Sequence, residues 1–341
     1  MKPKRPNFFL HLHPPKIPKR EGSFFYTFGL GGISLFLLLV LGVTGTLEVF
    51  YYIPSGAEAN RSLQVITYLI PYGNLIRGLH YWAGQLLVGT TILHMLRVVL
   101  TGSYKAPRRF NWLLGLILLV SVLFFNFTGY GLRWDVGISW ALLVGTNLLK
   151  TIPLIGDGLY RFLVGGSALG DATIVRFYGW HIYGLVLVVL IFGAWHIFRV
   201  RRDGGISARQ EDAPKPTISR IALNEKENIA MFVVSILLVV LALVFPPSLD
   251  GPADFSNIPE DAVAPWFFMW VQQLLENGDA LLMGVGLPLI VLLYLIAIPY
   301  LLDRSRSGVG DWFNREGRIA QIVIFVIILG MVTLTIMKWI G

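Results

Sequence analysis

The sequence predicts an all-α integral membrane protein with seven transmembrane helices. Composition is the first reason, since 55% of the 341 residues are hydrophobic and 14% are charged, against roughly 25% charged residues in soluble domains. The second reason is that seven apolar stretches are each long enough to cross a hydrocarbon core of about 30 Å. The protein is therefore expected to sit in membrane lipid. The stretches are residues 27–52, 78–100, 112–131, 175–198, 227–246, 280–302 and 318–338.

Basic residues predict how the chain is oriented. Of the 28 Lys and Arg residues, 20 lie in the N-terminal segment or in every second loop, namely residues 1–20, 105–109, 199–226 and 304–318. Because cytoplasmic loops carry the excess of basic residues, we expect a multi-pass protein of the cell inner (plasma) membrane, its N-terminus cytoplasmic and its C-terminus on the outer side. The formal charge of +8 then reflects topology, and no nucleic-acid partner is expected.

The N-terminal segment, residues 1–22, is interpreted as cytoplasmic. It lacks a signal-peptide pattern, because its apolar run is short and prolines follow. His11 and His13 lie there and are interpreted as surface residues.

The other four histidines lie inside apolar segments, His80 and His94 in the second and His181 and His196 in the fourth. Ionisable groups at membrane depth are costly and usually functional. Separations of 14 and 15 residues are close to four helical turns, or about 21 to 22 Å, so each helix presents both histidines on one face. Both helices run from the outer side of the membrane to the cytoplasmic side. His80 therefore pairs with His181 near the outer face, and His94 pairs with His196 near the cytoplasm. Each pair is predicted to bind the iron of a non-covalent haem b. The alternative, core histidines satisfied by neighbouring hydroxyls or carbonyls, does not account for two matched pairs.

Basic residues accompany all four histidines, where haem propionates would need them. Snorkelling of arginine side chains to the interface is an alternative compatible with this role. The arginines are Arg77, Arg97, Arg176 and Arg199.

Glycines repeat the interval of 14 residues on two further segments. A flat macrocycle needs a backbone that approaches closely, which glycine permits, although small residues also serve ordinary helix packing. The cofactor-binding glycines are expected to be Gly31, Gly45, Gly115 and Gly129. Because the chain has no cysteine, no disulfide, thiolate-ligated cluster or covalent haem c is expected.

Three runs, IRGLHYWAGQLLVGTTILHMLRVVLTGSYKAPRRFNW, TGYGLRWD and IVRFYGWHIYG, resemble the cytochrome b subunit of Rieske/cytochrome b (bc1/b6f-type) complexes. The 14/15 spacing is similar to that of the photosynthetic bf type, and the whole chain resembles a cytochrome b6 fused to a subunit IV. The resemblance implies a four-helix haem-binding bundle followed by three further transmembrane helices. The expected regions are the cytoplasmic segment 1–22, the di-haem domain 23–210 and the subunit IV-like domain 211–341.

The resemblance implies that the chain is one subunit of a quinol oxidoreductase in an electron transport chain, not catalytic alone. Quinol, of menaquinol or plastoquinol type, would be oxidised near the outer haem. One electron would pass to a Rieske iron–sulfur protein and a c-type cytochrome, and the other would cross both haems to quinone near the inner face. A homodimeric complex is also implied.

The chain departs from the family at the outer quinol site. The family has a Pro-Glu-Trp-Tyr motif whose carboxylate accepts a quinol proton, whereas this chain has Ala264 followed by Pro-Trp-Phe, without the acid and the phenol. Arg133 replaces a usual proline, and Tyr81 replaces a usual arginine. The outer site is expected at Pro265, Trp266, Phe267 and Asp135. Alternative bases close in sequence are Asp135, Asp254, Glu260 and Asp261.

Other functions remain open at this point. A transporter could use intramembrane histidines as proton relays, but it would not need matched pairs. Another possibility is a di-haem membrane anchor that transfers electrons between the quinone pool and another redox subunit. Such an anchor would use the same haem chemistry but would not divide the electrons of quinol with a Rieske protein. The outer loop, residues 132–174, contains amphipathic stretches that are expected to form short surface helices. These helices would either form a docking site for an electron acceptor or only cover the membrane-facing end of the bundle.

Overall fold

The computed structural model of the protein describes residues 16–20, 22–206, 216–256 and 263–340. Its elements in chain order are β1 (Lys16–Pro18), α1 (Phe24–Thr27), α2 (Leu30–Val49), α3 (Ala59–Tyr68), α4 (Gly73–Leu100), α5 (Arg109–Gly131), α6 (Val136–Lys150), α7 (Gly156–Val164), α8 (Asp171–Arg202), β2 (Thr217–Ser219), α9 (Arg220–Val244), α10 (Met269–Leu275), α11 (Leu281–Leu302) and α12 (Arg318–Ile340). Within these ranges seven helices, α2, α4, α5, α8, α9, α11 and α12, are long and apolar enough to cross a membrane. The prediction of an all-α protein with seven such helices is confirmed.

Four of these helices begin earlier than the hydropathy pattern predicts. α4 begins at Gly73 instead of residue 78, and α5 at Arg109 instead of residue 112. α8 begins at Asp171 instead of residue 175, and α9 at Arg220 instead of residue 227. Their first turns carry polar side chains, which lower the local hydropathy but can reach water or the free N–H groups at a helix start. The hydroxyl of Ser219 caps α9 by accepting the N–H of Ile221 at 3.2 Å.

Four helices, α2, α4, α5 and α8, form the bundle that carries the four histidines. α2 packs along α4, and α8 packs along α5. A buried apolar cluster, including Leu37, Leu87, Val122 and Leu238, joins α2, α4 and α5 to α9 at the centre of the molecule. The bundle is therefore continuous with the second part of the chain.

The second part of the chain packs directly on the first. Val99, Trp112, Leu295 and Ile324 belong to one buried cluster built by α4, α5, α11 and α12. The Trp112 indole N–H donates to the carbonyl of Leu295 at 2.8 Å. The regions predicted as two domains thus share a core. The boundary placed between residues 210 and 211 lies outside the described residues, and so do His11 and His13.

A buried ion pair also links the two parts. Lys105 Nζ lies 3.0 Å from Asp303 Oδ2, with both side chains almost completely buried. Asp303 Oδ2 also accepts the Tyr104 hydroxyl at 2.7 Å, and Lys105 donates to Asn314 Oδ1 at 3.0 Å and to the Ser307 carbonyl at 2.9 Å. Burial, with this hydrogen bond to Asp303, raises the pKa of Tyr104, so the phenol remains a donor. Every charge in this cluster has a partner, as a low dielectric requires.

A two-stranded sheet was not predicted. β1 pairs antiparallel with β2, and Ile17 stands opposite Ile218. The Lys19 N–H extends the pairing by donating to the Pro216 carbonyl at 2.8 Å. The sheet fastens the beginning of the described chain to the start of α9.

Short helices cover the end of the bundle where His80 and His181 lie. α6 and α7 correspond to the two amphipathic stretches predicted within residues 132–174, whereas α3 and α10 were not predicted. α6 packs against α5, and α3 packs against α4. They enclose the region between α5 and the loop that follows α9.

Candidate functional site

The four histidines of the bundle form two facing pairs. The ring centres of His80 and His181 are 6.3 Å apart, and those of His94 and His196 are 6.5 Å apart. One metal ion between two imidazoles, with metal–nitrogen bonds of about 2 Å, sets ring centres roughly 6 to 6.5 Å apart. The donor sets therefore fit two bis-imidazole iron centres at two levels of the same pair of helices.

Two threonines orient the rings of the His80–His181 pair. Thr44 Oγ1 donates to the Val40 carbonyl at 2.7 Å and lies 2.9 Å from His80 Nδ1. Because the hydroxyl proton is used on the helix backbone, Nδ1 of the histidine is the donor to the oxygen. That tautomer leaves Nε2 as a lone pair for a metal.

Thr128 repeats this arrangement on the other side of the pair. Its Oγ1 donates to the Phe124 carbonyl at 2.9 Å and lies 3.0 Å from His181 Nδ1. The two histidines are thus held in the same tautomer by equivalent contacts from α2 and α5. Hydrogen bonds of this kind fix ring orientation and raise ligand basicity.

The four glycines each lie against one histidine ring. A Cβ added at Gly45 would stand 2.9 Å from His80 Cε1, and one at Gly129 would stand 3.0 Å from His181 Cε1. At Gly31 and Gly115 the corresponding distance, to His94 and His196, is 3.4 Å. Their spacing in the sequence predicts the close approach of a macrocycle. The structure adds a more direct reason, which is that a side chain would collide with the ligand ring itself.

A π-helical turn explains the unequal histidine spacing. Residues Trp180–Gly184 of α8 form this turn, and His181 lies within it. A π turn takes up one extra residue, so the 15-residue interval on α8 matches the 14-residue interval on α4. The residues that follow His181 return to the register that brings His196 opposite His94.

A cavity of about 1410 Å³ surrounds the His80–His181 pair. Typical ligand pockets measure about 300 to 1,000 Å³, so a large planar group fits. Apolar side chains such as Phe125 dominate the lining, which also includes Gly45 and Gly129. An apolar cradle with two facing imidazoles is the environment that a non-covalent haem requires.

The four arginines predicted to meet propionates already have protein partners. Arg77 lines the large cavity and donates to the carbonyls of Pro247 at 2.9 Å and Ser248 at 2.8 Å. Arg97 lies 4.7 Å over the Tyr26 ring.

The other two arginines lie at the two ends of α8. Arg176 donates to the Phe162 carbonyl, and Arg199 pairs with Asp203 at 2.8 Å. Arg77 is therefore the arginine placed to serve both the fold and the larger cavity, and the propionate role of all four remains a prediction.

Comparisons with known proteins agree with this geometry. A family model described as cytochrome b (N-terminal)/b6/petB matches residues 85–252. Cytochrome b6 of Synechococcus sp. (strain JA-3-3Ab) is 39% identical over 175 residues, which cover 51% of this chain and 81% of that protein. Cytochrome b6 of Cyanidium caldarium is 41% identical over 180 residues, covering 53% and 83%. The chain belongs to the cytochrome b/b6 family. As a cytochrome b it binds b-type haem and carries electrons in a membrane.

A solved structure shows that the likeness in fold extends further. A chain of a structure titled hyperthermophilic respiratory Complex III superposes with a TM-score of 0.83 at 22% identity. The match covers 95% of this cytochrome b and 86% of that chain, so the fold resemblance includes the helices that follow the bundle.

A second cavity of this cytochrome b, of about 620 Å³, lies next to the first. Tyr130 and Arg133 line both cavities, which places the smaller one beside the His80–His181 site. Its other lining residues come from the start of α6 and from the segments on either side of residues 257–262: Val136, Gly137, Ile138, Ser248, Asp250, Val263, Ala264 and Pro265. The cavity therefore adjoins the His80–His181 site.

Of the four residues predicted to form the outer site, Pro265 lines this cavity. Trp266 Nε1 instead donates to Gln85 Oε1 at 2.8 Å. Phe267 is buried and packs in the central apolar cluster. Neither Trp266 nor Phe267 is among the residues that line this cavity, although Phe267 packs against Tyr130, which is.

Asp135 has a structural task that its position in the sequence did not reveal. It is completely buried, and Oδ1 accepts the N–H of Ile138 at 3.0 Å as the cap of α6. Oδ2 accepts Arg133 Nε at 2.8 Å. Both oxygens are engaged in these contacts, which argues against the prediction that Asp135 accepts a proton. Glu260 and Asp261 lie outside the described residues.

Sequence reasoning missed three residues of the site, Thr44, Thr128 and Asp250. The threonines had a signal, since each directly precedes one of the paired glycines as Thr-Gly. Asp250 had none. It lies in the loop after α9, far in sequence from Arg133, and only folding brings the two together.

Proposed function

We propose that this protein is the di-haem cytochrome b of a quinol oxidoreductase complex. The observation that carries the proposal is the pair of histidine sites, His80 with His181 and His94 with His196, at two levels of the same bundle. Two b haems held there would supply one-electron steps across the membrane. Dividing the crossing is useful because moving one charge against the membrane potential costs about 2.3 kcal/mol per 100 mV.

Other residues of the chain support the haem ligands and form the proposed quinol site. Thr44 and Thr128 hold the ligand tautomer at one site, and the glycines leave room for the ligand rings. The smaller cavity is the proposed quinol site, because it shares Tyr130 and Arg133 with the haem cavity and admits a ring-sized substrate. We place this end on the outer side of the plasma membrane, as the basic loops favour.

The proposed partners follow from the resemblance to Rieske/cytochrome b complexes. A quinol releases two electrons, and in that family one crosses the b haems while the other passes to a separate one-electron acceptor. We assign that role to a Rieske iron–sulfur protein that passes electrons to a c-type cytochrome, within a homodimeric complex. The similarity in fold to a respiratory Complex III chain supports the assignment. The two regions, 23–210 and 211–341, would correspond to a cytochrome b6 and a subunit IV.

A redox titration of the purified protein, with haem extraction, tests the proposal. We expect two non-covalent b haems per chain with separate midpoint potentials. His94→Leu should remove the haem between His94 and His196 and leave the other, and His80→Leu should do the reverse. His13→Leu, outside the bundle segments, is the matched control and should retain both. One haem or none in the unaltered protein would refute the proposal.

A second candidate function is a di-haem anchor for another redox subunit. The observation that favours it is the sequence after Ala264, where Pro265, Trp266 and Phe267 provide no acid. Purification of the native complex separates the two functions. A Rieske protein in the complex supports quinol oxidation with bifurcation, whereas a molybdenum or multihaem c-type catalytic subunit supports the anchor.

A further inference from the structure

We propose that Asp250, held beside Arg133, accepts a proton from the quinol in the smaller cavity. It would take over the task of the glutamate that the motif after Ala264 lacks. The inference rests on the proposed function, because it requires that quinol binds in this cavity.

The position of Asp250 is the first argument. Among the described residues that line the smaller cavity, it supplies the one carboxylate, and it shares that wall with Arg133, Ala264 and Pro265. Its backbone is held in place, since Asn60 Nδ2 donates to the Asp250 carbonyl at 3.1 Å. The side chain is 52% exposed, so a proton taken from the cavity can leave to water. A group that relays protons needs access on both sides.

The charges around the carboxylate are the second argument. Arg133 Nη2 lies 3.8 Å from Asp250 Oδ2 but 2.5 Å from Asp135 Oδ2. The guanidinium is thus bound tightly to the buried Asp135 and only loosely to Asp250. At 3.8 Å the guanidinium makes no hydrogen bond to Asp250, so the carboxylate oxygen stays available to accept a proton.

The first turn of α6 adds to this field. A Cβ at Gly137 would stand 2.5 Å from Asp250 Oδ2, so the carboxylate lies directly against the helix. The amino end of a helix of 15 residues carries partial positive charge. The charged groups near Asp250 are therefore Arg133 and, bound to it, Asp135. The amino end of α6 adds its partial charge, and Tyr130 also lines the cavity.

Other carboxylates nearby are engaged or lie elsewhere. Asp135 is buried with both oxygens bonded. Asp254 Oδ1 accepts both the N–H and the hydroxyl of Ser256. Glu48 lines the larger cavity.

The proposed step balances as follows. A quinol loses two protons and two electrons to become quinone. One O–H bond breaks and a new O–H bond forms on Asp250 Oδ2, while the second proton leaves to water on the same side. One electron passes towards the His80–His181 site, and the other passes to an external acceptor of the iron–sulfur class. Asp250 then releases its proton to water, and its ionised form is restored beside Arg133.

The test uses the purified complex with Asp250→Asn. The matched control is Asp157→Asn, an exposed carboxylate in the first turn of α7 that lines neither cavity. Loss of a positioned general base typically costs about 10²- to 10⁴-fold. We expect quinol-driven haem reduction to fall at least about 100-fold in Asp250→Asn, with KM, haem content and the dithionite-reduced spectrum unchanged. Asp157→Asn should match the unaltered protein. Asp250→Glu should restore much of the rate with a displaced pH profile.

Two readouts distinguish proton transfer from a structural role. An inhibitor that competes with quinol should bind Asp250→Asn with unchanged affinity, measured by calorimetry. Infrared difference spectra across a pH titration should show a protonated-carboxyl band that Asp250→Asn lacks. Gly137→Ala, which pushes the carboxylate out of place, should lower the rate without removing that band.

The opposing results are equally clear. Full activity in Asp250→Asn would overturn the inference, and a large loss in Glu48→Gln, Glu260→Gln or Asp261→Asn would then identify the base. Loss of inhibitor binding or haem in Asp250→Asn would also overturn it, in favour of a structural role. If the unaltered complex does not reduce its haems with quinol although both haems are present, the proposed function itself fails, and this inference fails with it.

Discussion

Replacing Gly45 by alanine should damage one haem site and spare the other. The new Cβ would stand 2.9 Å from His80 Cε1, where ordinary contact begins at 3.4 Å, so the imidazole must move by about 0.5 Å. The ring cannot retreat freely, since its Nδ1 is bonded to Thr44 at 2.9 Å. Forcing such a side chain off its rotamer costs about 0.5 to 1.5 kcal/mol, which is roughly a two- to twelve-fold loss of haem affinity.

Redox titration with haem extraction measures this effect. We expect Gly45→Ala to lower the haem content or shift the midpoint potential at the His80–His181 site only. Gly31→Ala should be milder, because its Cβ would meet His94 at 3.4 Å. Gly89→Ala on α4 is the control, since open space surrounds that position. The steric reasoning fails if Gly45→Ala keeps both haems at unchanged potentials, or if Gly31→Ala is the more damaging change.

Two further predictions concern hydrogen bonds and buried charge. Thr128→Val keeps the shape of the side chain but removes the acceptor for His181 Nδ1, so haem affinity at that site should fall about 10- to 100-fold. Equilibrium haem transfer measures the affinity. Thr335→Val on α12 is the control, since that hydroxyl donates to the Met331 carbonyl of its own helix. Equal affinities in Thr128→Val and the unaltered protein would refute the prediction. Lys105→Met leaves Asp303 buried without its cation and should destabilise the protein by about 3 to 5 kcal/mol. Thermal unfolding in detergent measures this loss of stability. The double variant Lys105→Met with Asp303→Leu should recover much of it. An unchanged Tm in Lys105→Met alone would contradict the prediction.

The histidine pairs could be predicted because every step of that argument is local or periodic. Helical spacing puts His80 and His94 on one face, and alternation of the segments sets which histidine meets which. The Thr-Gly repeat at Thr44 and Thr128 was also visible in the sequence, but its meaning depends on a hydroxyl lying 2.9 or 3.0 Å from a ring nitrogen. Such a distance follows from helix packing and cannot be obtained from spacing.

The proposed quinol site was harder to predict because it is assembled from helix ends and from the loops around them. Asp135 looked suitable as a base from its nearness to the Tyr-Gly-Leu-Arg run, yet it is consumed as a helix cap and ion-pair partner. Asp250 joins Arg133 only through the path of the chain after α9. Hydropathy and periodicity contain no information on either relation.

The sheet between β1 and β2 bears on how such proteins are divided into genes. It fastens Ile17, near the beginning of the chain, to Ile218, just past the segment that joins the two parts. With the Lys105–Asp303 pair and the Trp112–Leu295 hydrogen bond, the two parts hold each other without the peptide link. A fused chain and a pair of separately encoded chains would therefore reach the same assembly, and fission or fusion of the gene at this point would be close to neutral for the fold.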